Sequence, residues 1–232
     1  MPPTATTVDD APWRAGLHSA RALRGPGLVV IAVAASVVVA YYSHAPTHAA
    51  LERLAAFRTR GGYVFSAMAN LVFGGLLPFL ILRLNSATRP AHPWRHLLFF
   101  AAYPAWKGVE VDLLYHFQAV LFGGTNDWLV VLKKMLFDQL VYTPLTVPYA
   151  VVLYAWKDAG FRAAAPLADL RAGRWFARRV LPVLLAVWCV WVPTVCCIYA
   201  LPLALQFPLN CAMNCLWMTL FSLITVRQNH GP

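Results

Sequence analysis

Asp138 and Gln139, a carboxylate beside a carboxamide, lie inside the long apolar run Trp128–Trp156, after Lys133-Lys134-Met135-Leu136-Phe137 and ahead of Pro144 and Pro148. A charge near the centre of a bilayer costs roughly 2.5–3.5 kcal/mol on insertion scales, so such groups persist where they face protein or water. Lys134 is an i,i+4 neighbour of Asp138, although Lys ahead of Asp is the weaker order on a helix. Gln139 adds an amide able to bridge helices. This segment is the first candidate for chemistry.

A second set of polar residues occupies the run Leu97–Gly123: Lys107, Glu110, Asp112, Tyr115 and His116. On a helix, Lys107 and Glu110 share one face, and Asp112, Tyr115 and His116 fall roughly on the other. Both faces cannot meet lipid cheaply, so this helix must be surrounded by protein, or one cluster must lie at an interface or in a wet cavity. Two readings stay open: a polar lining for a solute path or proton relay, and internal ion pairing that only locks the bundle. Cross-helix pairs Lys107–Asp138 or Lys134–Glu110 are the expected contacts.

Asn210, Asn214, Trp217 and Phe221 form one stripe of the last apolar run. Interhelical bonds from such Asn side chains are worth about 0.6–2 kcal/mol in membranes, which makes packing the first reading and solute contact the second. Trp188, Trp191 and Pro193 read as close packing or a bend, and Trp128 and Trp156 as interfacial anchors. The chain has no His-Glu-x-x-His, Gly-x-Ser-x-Gly or phosphate loop. A non-enzymatic protein without cofactor is expected. His92 and His96 are four residues apart, but Pro93 between them and the lack of a third ligand argue against a metal site. The five cysteines fall in the last two apolar runs without zinc or redox spacing and read as small apolar side chains at helix contacts.

The elements that must carry these groups follow from composition. Of 232 residues, 60% are hydrophobic and 12% charged, against about 25% charged in ordinary soluble domains. Several runs approach the roughly 20 residues needed to cross the hydrocarbon core. An alternation typical of membrane β-barrels is missing. The expected fold class is all-α, a polytopic helical membrane protein with about six transmembrane helices in one bundle: 27–42, 63–82, 97–123, 128–156, 181–203 and 207–226. The third is long enough that it must tilt or break near Pro104. Pro144 and Pro148 predict a kink or an unwound end in the fourth. Residues 1–60 form an N-terminal segment with one extra crossing, 61–226 the main helical domain and 227–232 a short tail.

The net charge of +10 belongs to short segments between apolar runs and carries no recognition motif, which sets nucleic acid aside. With six crossings, one side receives thirteen basic residues (Arg14, Arg21, Arg24, Arg83, Arg89, Arg95, Lys157, Arg162, Arg171, Arg174, Arg178, Arg179, Arg227). The other receives Arg53, Arg58 and Arg60, plus Lys133 and Lys134 if these snorkel. Both termini therefore fall on the cytoplasmic-type side. The first 26 residues mix Arg14, Arg21 and Arg24 with Asp9 and Asp10, unlike a transit peptide, and 27–45 imitates a signal peptide. A retained first helix is the better reading because the charge bias works with it in place.

The stretch Leu132-Lys133-Lys134-Met135-Leu136-Phe137-Asp138-Gln139, followed by Pro144, resembles the Lys-x-x-x-x-Asp-Gln…Pro signature of the Mpv-seventeen family, which includes the twenty-two-kilodalton peroxisomal membrane protein. Trp188 and Trp191-Val192-Pro193 resemble its Trp-x-x-Trp-Pro element, and Leu201-Pro202-Leu203 its Val-Pro-Leu. Trp217 and Ser222 keep the spacing of its closing block, and Leu114-Tyr115 sits where it has Trp-Tyr. The resemblance runs from about Gly61 to Ser222. Gln206 stands where the family usually has Arg, Cys197-Ile198 where it has Asn-Phe and Met218 where it has Asn, as in a divergent relative. The resemblance implies a small organelle- or cell-membrane protein linked to pore behaviour and metabolite balance. Arg outnumbers Lys and Ala is abundant, as in a GC-rich genome, which favours a bacterial cytoplasmic membrane over a mitochondrial inner or peroxisomal one. The expected function is a small-solute channel or transporter-like pore, the alternative a non-conducting structural or assembly factor. The expected partners are the lipid bilayer and small solutes or ions, with a homo-oligomer left open.

Overall fold

The computed structural model describes residues 24–229, with side chains through residue 220. Among the described residues the chain is all-helical, without strands. Helix α1 (Arg24–Ser43) turns at His44, in extended conformation, into α2 (Ala45–Asn70), which Pro46 opens from its first turn. A widened turn at Leu71–Leu76 continues α2 into α3 (Leu77–Leu84). Then follow α4 (Leu97–Phe122), α5 (Trp128–Phe137), α6 (Thr143–Asp158), the short α7 (Ala164–Arg171), α8 (Leu181–Tyr199) and α9 (Leu203–Asn229).

Four helical stretches are long and apolar enough to cross a membrane: Arg24–Ser43, Ala45–Leu84, Trp128–Asp158 and Phe176–Tyr199. They are compatible with an integral membrane protein. Side chains such as Leu98, Val120, Leu140 and Leu145 are more than 60% exposed, an outer surface that suits hydrocarbon better than water. Helix α4 matches them in length but carries Lys107, Glu110 and Asp112 close together.

Three pieces of π-helix, Leu71–Leu76, Asp138–Tyr142 and Phe176–Val180, widen the backbone. Each is followed two residues later by a proline: Pro78, Pro144 and Pro182. Proline has no N–H for the carbonyl four residues back, so the turn ahead of it relaxes. The irregularity expected in the fourth span at Pro144 and Pro148 takes the form of a widened turn ahead of Pro144. The span runs on as one helical stretch, with its irregular turn placed on Asp138 and Gln139 and with Pro148 inside α6.

Pro104 does not break α4. Close to the Phe100 carbonyl, which Pro104 leaves without an intrahelical donor, the neighbouring segment has Gly75: a Cβ there would lie 1.9 Å from the Phe100 oxygen. Asn70 also donates from Nδ2 to the Pro104 carbonyl at 2.7 Å. Residues 45–61, which lie between the first two expected spans, are helical, and the chain bends at Gly62, whose φ of 50° favours glycine. Helix α1 packs on α8, with Val30 and Ala34 fully buried and Gly27 so close to Val190 that a Cβ would clash at 2.6 Å. The main core continues through Tyr115, Val190, Ile198, Tyr199, Leu205 and Phe207, and a smaller one gathers Phe79, Phe99 and Phe100.

Candidate functional site

Helix α4 is covered by protein on both of its polar faces. On one, Lys107 Nζ donates to Glu110 Oε1 at 2.8 Å, to Tyr142 Oη at 2.8 Å and to Tyr149 Oη at 2.9 Å. Both tyrosines return their hydroxyl protons to Glu110, at 2.7 and 2.5 Å. The three protons of the ammonium are all committed. On the other face, Asp112, 1% exposed, forms an ion pair with Arg58 of α2 and accepts from Ser66 Oγ at 2.5 Å. His116 adds Nδ1 contacts to the Asp112 backbone oxygen at 2.8 Å and to its carboxylate at 3.3 Å. The close approach that permits this comes from Gly108, where a Cβ would lie 2.3 Å from the Ser66 carbonyl oxygen.

Asp138 and Gln139 are turned inward by the widened turn, 6% and 3% exposed. Asp138 accepts from Tyr199 Oη at 2.5 Å, from Gln139 Nε2 at 3.3 Å and from Thr143 Oγ1 at 3.4 Å. All three donors are neutral. Trp188 Nε1 caps the turn by donating to the Gln139 carbonyl at 2.9 Å. Gln139 Oε1 is buried and has no hydrogen-bond partner.

Asp138, Gln139, Lys107 and Tyr142 border a partly open cavity of about 280 Å³. Its wall takes Tyr103, Lys107 and Tyr115 from α4, and Asp138, Gln139 and Tyr142 from the widened turn. Thr143, Thr146 and Ala150 come from α6, Trp191 and Val195 from α8, and Asn210 and Asn214 from α9, while Asn70 and Gly74 close it on the α2 side. Seven of the residues singled out in the sequence (Asp138, Gln139, Lys107, Tyr115, Trp191, Asn210 and Asn214) thus meet at one place, with Glu110 behind Lys107.

Others do not join it. Asp112 and His116 belong to the opposite face of α4. The expected pairs Lys107–Asp138 and Lys134–Glu110 are not formed, because Glu110 and two tyrosines take up Lys107. Nor does Lys134 snorkel: it is 1% exposed, and its Nζ is buried without a hydrogen-bond partner, whereas Lys133 is exposed. Pro144 opens α6, Pro148 and Pro193 lie inside helices, and Pro202 separates α8 from α9. Trp217 is in the main core. The side chains of Phe221 and Ser222 lie outside the described residues. His92 turns its Nδ1 to the Thr88 carbonyl at 2.9 Å and His96 packs edge-on to Phe161; burial holds both imidazoles below their ordinary pKa.

Sequence reasoning missed Arg58, Ser66, Tyr149 and Tyr199. Arg58 had a usable signal, because residues 45–61 contain a proline only at the start and glycines only at the end, as a helix with a terminal bend would. Tyr199 had none: it is one aromatic residue among many in an apolar run. No protein-family model, curated protein or solved structure matches the chain.

Proposed function

We propose that the chain is an integral membrane protein of six crossings that holds a small polar solute in the mid-bundle cavity and passes it across the bilayer by binding and conduction, with no covalent step. The observation that carries this reading is the convergence of Lys107, Tyr142, Asp138, Gln139, Asn210 and Asn214 on one cavity of about 280 Å³. Polar groups are costly at membrane depth and are found where they meet protein or a solute path. At 1.5 Å per residue Asp138 lies about 15 Å along the helix from Trp128, near the middle of a hydrocarbon core of about 30 Å.

Helices α4 and α9 supply the two crossings beyond the four apolar stretches. Both polar faces of α4 are sheltered by neighbours, which removes the main obstacle to placing it in lipid. The basic residues of the segments after α3 and α6 support placing both termini on the cytoplasmic-type side. The likeness of Leu132–Gln139 and Pro144 to the Mpv-seventeen signature supports kinship with that family, and the Arg- and Ala-rich composition supports a bacterial cytoplasmic membrane.

A second reading, a non-conducting structural or assembly factor, draws on the closed Lys107–Glu110–Tyr142–Tyr149 network, which leaves none of those protons for a solute. Reconstitution of the purified protein into planar bilayers and liposomes separates the two. The pore reading expects discrete current and solute leak, with altered ion selectivity in Asp138→Asn. Silent membranes holding folded protein would leave the scaffold reading.

A further inference from the structure

The cavity wall carries one cationic and one carboxylate side chain, Lys107 and Asp138. Their situations differ. Lys107 spends its three protons on Glu110, Tyr142 and Tyr149, so its charge is already answered by a carboxylate. Asp138 takes its hydrogen bonds from hydroxyl and amide donors, and no Lys, Arg or His among the described residues forms a direct ion pair with it. Counting Lys107, Glu110 and Asp138 together, the site holds one negative charge in excess. A buried carboxylate without a cation is costly, and the cost is relieved when a cation arrives.

Among the wall residues, the buried polar atom left without a hydrogen-bond partner is an acceptor. Gln139 borders the cavity, and its Oε1 is buried without a hydrogen-bond partner. A carboxylate accepts about four hydrogen bonds, and Asp138 has three. Asn210 and Asn214 add carboxamide groups to the wall, and Trp191 and Tyr103 add aromatic surface, which attracts desolvated cations. A volume of about 280 Å³ is far more than a bare metal ion fills, at roughly 30 Å³ for one water.

Resting on the reading that the cavity takes a solute, we propose that its ligand is a small organic monocation bearing N–H donors, an alkylammonium or guanidinium-type group, held by Asp138 and Gln139 Oε1. The test is a binding titration of the full chain in nanodiscs with n-butylammonium, and with 1-butanol and n-butyrate as partners of matched shape. Saturable binding of the ammonium, about tenfold or more tighter than either partner and lost in Asp138→Asn, is the expected result. Should Asp138→Asn not fold, the charge series on the native protein decides by itself. Equal binding of all three, as a protonated Asp138 would give, overturns the proposal, as does no binding. Displacement of the ammonium by sodium at equal concentration overturns its organic part and assigns the site to a hydrated inorganic ion. Cation binding in a protein whose membranes are silent removes passage but leaves this proposal standing. Conductance with no charge preference does the reverse.

Discussion

Arg58 and Asp112 form the most deeply buried ion pair among the described residues, 5% and 1% exposed. Removing one partner of such a pair costs about 3–5 kcal/mol because the other is left charged and dry, whereas replacing both by uncharged groups is often close to neutral. Arg58→Met should therefore lower the thermal midpoint in detergent markedly, and adding Asp112→Asn should restore much of the loss. Equal midpoints for the single and double variants would show that the pair is not what holds α2 on α4. The sequence made Asp112 conspicuous, since a carboxylate in an apolar run stands out, and it placed Lys107 and Glu110 on one face as found. It could not supply their partners. Arg58 lies 54 positions from Asp112, and Tyr149 lies 39 from Glu110. A single chain shows which residues need a partner, not which distant helix brings one. Whether Lys133 and Lys134 snorkel was open in the sequence; successive helical positions point about 100° apart, and of the two only Lys133 faces out.

At the scale of elements, backbone contact between helices is set by glycine. Gly108 lies against the Ser66 carbonyl, a backbone oxygen that cannot swing away from an added Cβ at 2.3 Å. Gly108→Ala should separate α2 from α4 at a cost of about 1–3 kcal/mol. Gly124→Ala, with nothing within 4 Å of the new Cβ, should leave the midpoint unchanged; similar losses for both would contradict close packing at Gly108. Helix existence was legible in the apolar runs of 16 to 29 residues, which leave little else for the backbone to do in lipid, but not over residues 45–61 or 164–171. The response to proline was less legible. The sequence left a tilt or a break open at Pro104 and a kink or an unwound end at Pro144 and Pro148; α4 stays continuous through Pro104, where Gly75 and Asn70 pack closely, and a widened turn precedes Pro144. Both outcomes depend on what packs nearby. The widened turn matters most for function, because it turns Asp138 and Gln139 together toward the bundle.

For the whole molecule, a lipid-facing outer surface and a polar interior should be separable along a single helix. Neighbouring positions on α6 make the comparison: Thr146 borders the cavity, and Leu145 is 70% exposed on the outside. The most direct measurement is labelling by a charged, membrane-impermeant thiol reagent of Thr146→Cys and Leu145→Cys, each in a membrane-embedded chain whose five cysteines are alanine. The Thr146 position should react from water while the Leu145 position stays inert. A Thr146 position as unreactive as Leu145 in a folded protein would mean that the cavity is sealed from solution and takes no solute.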